Sequence, residues 1–408
     1  MPGDPLQPVL GGDVPFDATA DEIESRAEFD THLAKRSLAG LVVLGLRLDA
    51  DPPDFTGVDV RDTLFLGCHL ASADVAIELT RGGAHVVPTF QQRPYPTHPA
   101  TLYTPDDLAF GFAEAGFAGM YDTIVYQHFL DHGGAAPDIR EAIAQRLHDA
   151  GIDNALGKAL ADWARASEVV AEPSMSGADA REGYHSSPLP VGIMGGHAVP
   201  RGAAAYRMAA ELAWRLASAG RLIVTGGGPG VMEAANLGAY FAGRDLAELG
   251  GAIDLLSPAP DFLDHDPYTA AALAVRRAYP SESNLAHGGL ALPTWLYGHE
   301  PANLFAGLIG KYFSNAVRED SILRLSRGGI VFAPGWAGTV QEIFQAATKT
   351  FYRTDGPSGP FVFLGVEHWA QLPVEALLRP LLARSPYGDQ SDLIVVTDSL
   401  DEAAEALK

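Results

Sequence analysis

The sequence predicts an α/β fold, a doubly wound parallel sheet of Rossmann-like type with an additional N-terminal α/β domain. Three observations carry this. From residue 190 onward, short apolar runs alternate with amphipathic segments, the order that covers a parallel sheet with helices on both faces. Gly-rich turns close two of these runs, "VGIMGG" and "VTGGGPG", and a third, "APGWAGT", follows a later one. Upstream, "RDTLFLGCHLASADVAIELTRGGAHVVPTF" reads as strand, helix and strand.

Taken in order, the N-terminal part should hold that α/β unit and helices at 105–120, 137–150 and 153–168. Apolar residues also recur at Phe55, Val60, Phe65, Leu70 and Val75, a rhythm that fits one coil of a pentapeptide-type solenoid. Residues 171–188, "AEPSMSGADAREGYHSSP", lack periodicity and predict a linker between an accessory domain, 1–170, and a second domain, 189–408. Beyond it, strands are expected at 190–195, 221–225, 251–256, 289–294, 329–333, 361–366 and 392–396. Helices are expected at about 202–219, 230–242, 301–326, 338–351, 370–383 and 399–407. The irregular stretch 257–288 suggests a lid or a partner surface.

With 408 residues the chain can bury more than one core. Its formal charge of −23 argues against nucleic acid and membrane surfaces as partners, since both select basic faces. A small anion is compatible with that charge, because backbone N–H groups and one Arg suffice to hold a phosphate. The single cysteine, Cys68, excludes an intrachain disulfide framework and predicts a reducing, cytoplasmic setting, with Cys68 as a buried hydrophobe. No signal peptide or membrane span is read. The histidines lack ligand spacing, so no metal is expected.

Glycines leaving a parallel strand bring N–H groups towards an anion at the next helix N-terminus. Gly195 and Gly196 do this after the first strand, and Gly226, Gly227, Gly228 and Gly230 after the second, without forming the G-x-G-x-x-G fingerprint. In the third turn Gly335, Gly338 and Thr339 precede Glu342, which is either functional or an acidic residue favoured by the helix dipole. The segment "LPTWLYGHEPANLF" places Trp295, Tyr297, His299, Glu300 and Asn303 in a loop at the same sheet edge, as ligand contacts or as a capped, aromatic-packed helix start.

These residues resemble a known family. "PGWAGTVQE" resembles the P-G-G-x-G-T-x-x-E motif of the LOG ("lonely guy") nucleoside 5′-monophosphate phosphoribohydrolases, long labelled lysine decarboxylases. "GGGPGVMEAANLGA" is similar to that family's second turn, and "NAVRED" to its Arg-containing helix. The three motifs span about 190–350, so the chain looks like one of the larger bacterial nucleotide nucleosidases, with 189–408 as the nucleotide-binding catalytic domain.

The resemblance implies hydrolysis of a purine or pyrimidine nucleoside 5′-monophosphate to free base and ribose 5-phosphate, with no cofactor. It implies catalytic roles for Arg318 and Glu342, phosphate contacts from Gly335, Gly338 and Thr339, and nucleotide-lining roles for the second glycine turn, Met232 and Glu233. It also implies a homodimer or higher homo-oligomer. In such a reaction a carboxylate stabilises the oxocarbenium-like sugar and takes a proton from water, the role expected of Glu342. Arg318 would hold phosphate or orient that carboxylate, or else form a surface ion pair with Glu319 or Asp320.

Two positions depart from the family. Trp336 replaces a glycine, and Glu319 replaces a lysine. A bulky residue is costly where close approach or a positive φ is needed, although its ring also offers a stacking face for a base. These departures motivate an alternative, a nucleotide-binding or regulatory protein without turnover. A decarboxylase is disfavoured, since none of Lys35, Lys158, Lys311, Lys349 and Lys408 stands in a Schiff-base motif.

Overall fold

A computed structural model describes residues 22–88, 90, 92–170 and 189–408. The expected linker, 171–188, lies outside the described residues. The described residues divide into two compact units, one built from 103–127, 160–170 and 189–408, the other from 22–88, 90, 92–102 and 128–159. The segment 103–127, expected in the accessory domain, thus belongs with the C-terminal sheet. Tyr103 exchanges backbone hydrogen bonds with Ile309 at 3.0 and 2.8 Å, and Asp122 accepts from Trp295 and Lys311.

In the smaller unit, β1 (Glu22–Ile23), β2 (Val42–Leu44), β3 (Leu64–Leu66) and β4 (His85–Val87) form a parallel sheet in sequence order. Val42 pairs with Leu64 and Leu64 with His85, so successive turns stack in register. The five-residue rhythm lies on these turns. Val60 and Phe65 enter the core, with Phe55, Leu70 and Val75 packed against it. A single coil could not bury that face, and stacking neighbours does so. Cys68 is buried there; its thiol donates to Val43 O, and burial pushes its pKa up to about 11.

The larger unit holds a seven-stranded parallel sheet from β5 (Val191–Met194), β6 (Ile223–Thr225), β7 (Leu290–Ala291), β8 (Leu308–Ile309), β9 (Ile330–Phe332), β10 (Phe361–Leu364) and β11 (Ile394–Thr397). Its order is β11-β10-β9-β5-β6-β7-β8. The chain runs outward from β5 to β8, then returns to the other side of β5 through β9. The β5–β9 neighbours therefore mark the switch point, where the turns that follow them diverge and open a crevice.

Two expected elements differ. The run at 251–256 is not a strand but the end of a helix, Leu246–Leu256, begun by an Asp245–Glu248 capping box. Its buried Leu249, Ala252, Ile253 and Leu256 fall at helical spacing. The helix expected at 301–326 is confined to Asn315–Leu325, started by Ser314. Before it the chain is extended as β8, because Pro301, Gly307 and Gly310 interrupt a helix there. The stretch 257–288 contains a helix, His265–Ala278, and the two helices expected at 137–150 and 153–168 are one, Ile139–Val170. Among the described residues no helix is long and apolar enough to cross a membrane.

Candidate functional site

The three predicted turns meet at one sheet edge. Gly196 N–H donates to Pro334 O at 2.9 Å, joining the turns after β5 and β9, and Val231 N–H donates to Gly196 O at 3.1 Å, joining the turn after β6. Gly230 has φ +68°, and a Cβ there would lie 2.6 Å from His197 O, so glycine is what lets these backbones approach. Behind the second turn, Thr225 Oγ1 donates to Asn236 Oδ1 at 2.6 Å, and Asn303 Nδ2 donates to the same oxygen at 2.9 Å. Asn303 is thereby a buried structural residue.

A cleft of about 570 Å³ lies over these turns, a size usual for small-molecule sites. Of the residues singled out in the sequence, Gly195, Gly196, Gly226, Gly227, Gly228, Met232, Arg318, Gly338, Thr339 and Glu342 line it. Gly230 and Gly335 shape the turns without lining it. Glu233 does not line it either. It is buried, accepting from Arg201 Nε at 2.8 Å, Tyr206 Oη at 2.9 Å and Tyr268 Oη at 2.7 Å, so its carboxylate is committed to the interior.

The helix Ala337–Tyr352 starts at the cleft with no side chain capping it. Val340 N–H donates to Trp336 O, which leaves the preceding N–H groups as donors for an anion. His368 Nε2 sits 2.9 Å from the carbonyl oxygen and 3.3 Å from the nitrogen of Gly335, holding the backbone of that residue. Trp336 has φ −113°, so the left-handed conformation that would penalise a bulky residue is not used. Its ring is 70% exposed and meets His368 edge-on.

Arg318 is buried at the cleft floor. Its Nε donates to Leu292 O at 2.8 Å and its Nη2 to Gly226 O at 3.0 Å, tying together the chain beyond β7 and β6. The ion pair with Glu319 exists, at 2.6 Å, but inside the protein rather than on its surface. Glu342, half-buried one helical turn beyond Gly338, faces this floor. Burial pushes its carboxyl up to about 8, with Arg318 opposing and Glu319 reinforcing the shift.

Sequence reasoning did not assign Lys311 to the site, although it lines the cleft. Its ammonium pairs with Asp122 at 2.6 Å and lies 5.5 Å from the Trp295 ring. A lysine inside the apolar run "NLFAGLIGKYF" was the available signal. Of the loop after β7, Tyr297, His299 and Glu300 line the cleft, while Trp295 is fully buried and donates to Asp122 at 2.9 Å.

A family model described as LDcluster4, SLOG cluster4 family, matches residues 188–244, which hold the first two glycine turns. The SLOG superfamily is related to LOG-type Rossmann-like proteins, and the match points to a nucleotide-related function. No curated protein matches the chain.

Proposed function

We propose that the chain hydrolyses the N-glycosidic bond of a nucleoside 5′-monophosphate, releasing the base and ribose 5-phosphate. The observation that carries this reading is the uncapped start of helix Ala337–Tyr352 opening on the cleft, with Glu342 one turn behind it. Its free N–H groups suit a phosphate dianion, and the Thr339 hydroxyl adds a further donor. A sugar joined to that phosphate extends over Glu342. Its carboxylate then stabilises charge at C1′ and accepts a proton from the attacking water. Arg318 holds the floor on which both strands end, with its Nη1 donating to Glu319.

Binding energy from the phosphate aligns the reacting centre, so nucleosides lacking it are expected to be poor substrates. The reaction needs no cofactor, and a homodimer or larger homo-oligomer belongs to the same reading.

A second reading, nucleotide binding without turnover, draws on Glu342, whose carboxyl burial pushes up to about 8, above the ordinary carboxylate range. Incubation with purine and pyrimidine monophosphates, followed by chromatography and by calorimetric binding, separates the two. Free base and ribose 5-phosphate support hydrolysis. Binding with no release from any monophosphate supports the second reading and rejects the first.

A further inference from the structure

The sheet order sets out a ruler along the cleft. The loops after β9, β5, β6 and β7 follow one another at adjacent strands, so the phosphate-binding end and the loop after β7 stand about 14 Å apart at the usual strand spacing. A nucleoside monophosphate with its phosphate at the start of helix Ala337–Tyr352 carries its sugar across the middle of this span and its base to the far end.

Glu300 belongs to the loop at that far end, on the side of the base that meets the sugar. Its carboxyl reaches back over the second glycine turn, where a Cβ on Gly228 would lie 2.9 Å from Oε2. Its other oxygen lies 3.5 Å from His197 Nδ1, with the Glu300 side chain 15% exposed and His197 open to solvent. Apart from this His197 contact, no hydrogen bond to the carboxyl is made among the described residues. Burial raises its proton affinity despite the nearby His197, His299, Arg318 and Lys311.

We propose that Glu300 is the acid that protonates the departing base, a role that rests on the monophosphate-cleaving reading above. As the C1′–N bond breaks, its electron pair passes to the base, and a ring nitrogen of the base takes the Glu300 proton. Water adds its oxygen to C1′ and gives a proton to Glu342. The Glu342 proton leaves to solvent, and Glu300 regains one through His197, so water is the only co-reactant consumed. Departure of a neutral base is far easier than departure of an anion, which is why a glycosidase gains from an acid on this side.

The test compares guanosine 5′-monophosphate with 7-methylguanosine 5′-monophosphate, whose base already carries the charge that protonation would supply. Glu300→Gln should lower kcat on the first by about a hundredfold or more and leave the second within about threefold. Turnover of the methylated substrate shows that the variant is folded. Glu300→Asp, which keeps a carboxyl, should retain measurable cleavage of the unmodified nucleotide. Glu342→Gln should lower both. Equal loss on both substrates, or no loss on either, in Glu300→Gln overturns the acid role while cleavage by the unmodified protein leaves the function standing. Absence of base release from either substrate by the unmodified protein overturns the function and this role together.

Discussion

Nη1 of Arg318 donates to Oε1 of Glu319 at 2.6 Å, a buried ion pair between consecutive residues of one helix. Neighbours in a helix do not face each other. The pair closes because Arg318 lies against the Leu292 and Gly226 carbonyls, and among the described residues Oε2 of Glu319 is left without a hydrogen bond. Arg318→Ala strands Glu319 and both carbonyls, with an expected cost of about 3–5 kcal/mol in urea unfolding. Arg318→Ala combined with Glu319→Ala should lose less than the sum of the single changes, because the stranded charge is gone.

The limb of the turnover profile set by Glu342 should rise with pH through about 8, since Glu342 must lose a proton that burial helps it keep, while Glu300, which must hold one, sets the falling limb. Stability should move the other way. The folded carboxyl holds its proton above the ordinary 4.5, so stability falls as pH rises from 4.5 to about 8 and is then level. Glu342→Gln should abolish turnover and flatten that slope, read by base release and by denaturant unfolding across pH 5–9.

Gly335 and Gly338 should respond oppositely to alanine. A Cβ on Gly335 collides with Thr339 Oγ1 and crowds the Gly196 nitrogen at 3.1 Å, whereas one on Gly338 meets nothing within 4 Å. Gly335→Ala is expected to cost about 1–3 kcal/mol, and Gly338→Ala to be neutral or slightly stabilising in a helix's first turn. Thermal unfolding of both variants decides this.

Trp336→Gly should not raise activity. The residue sits at negative φ with its ring in solvent, so glycine relieves no strain. An expected change within about 0.5 kcal/mol in stability follows for Trp336→Ala at such an exposed site. A large gain of kcat/KM in Trp336→Gly would show that the ring blocks the cleft.

The smaller unit should lose stability in acid. Burial pushes His98 down to about 4, with His148 adding to the shift, and burial also lowers His128 and His148. Histidines held below their unfolded pKa stabilise the fold above about 6.5 and withdraw that support as pH falls towards 4. Replacing His98 with Asn should reduce the acid-limb slope of unfolding measured by circular dichroism, at the expense of the His98–Thr97 contact of 3.2 Å.

Much of this was legible one letter at a time. The strand-turn-helix rhythm placed β5, β6, β9, β10 and β11, because buried parallel strands need continuous apolar runs and their exits need glycine. The same reasoning misassigned 251–256, where an apolar run with helical spacing looks like a short strand unless the Asp245–Glu248 cap is noticed. β8 was missed because a two-residue edge strand, Leu308–Ile309, carries no periodicity.

At the site, local sequence marked the glycine turns and Glu342, since both signals depend on backbone geometry within a few residues. Glu233 carried the same local signal as its neighbours and yet points into a buried network with Arg201, Tyr206 and Tyr268, drawn from three other segments. Lys311, Asp122 and Glu300 owe their places to the order of the sheet, which sets β7 and β8 beyond β6 and brings 103–127 to the edge of β8. By itself, then, the sequence determined a parallel α/β sheet with anion-ready turns, because hydrophobic period and glycine position are local properties. Which charges share one cleft, and how strongly burial shifts Glu342, only the tertiary structure decided, because long-range packing sets both distance and desolvation.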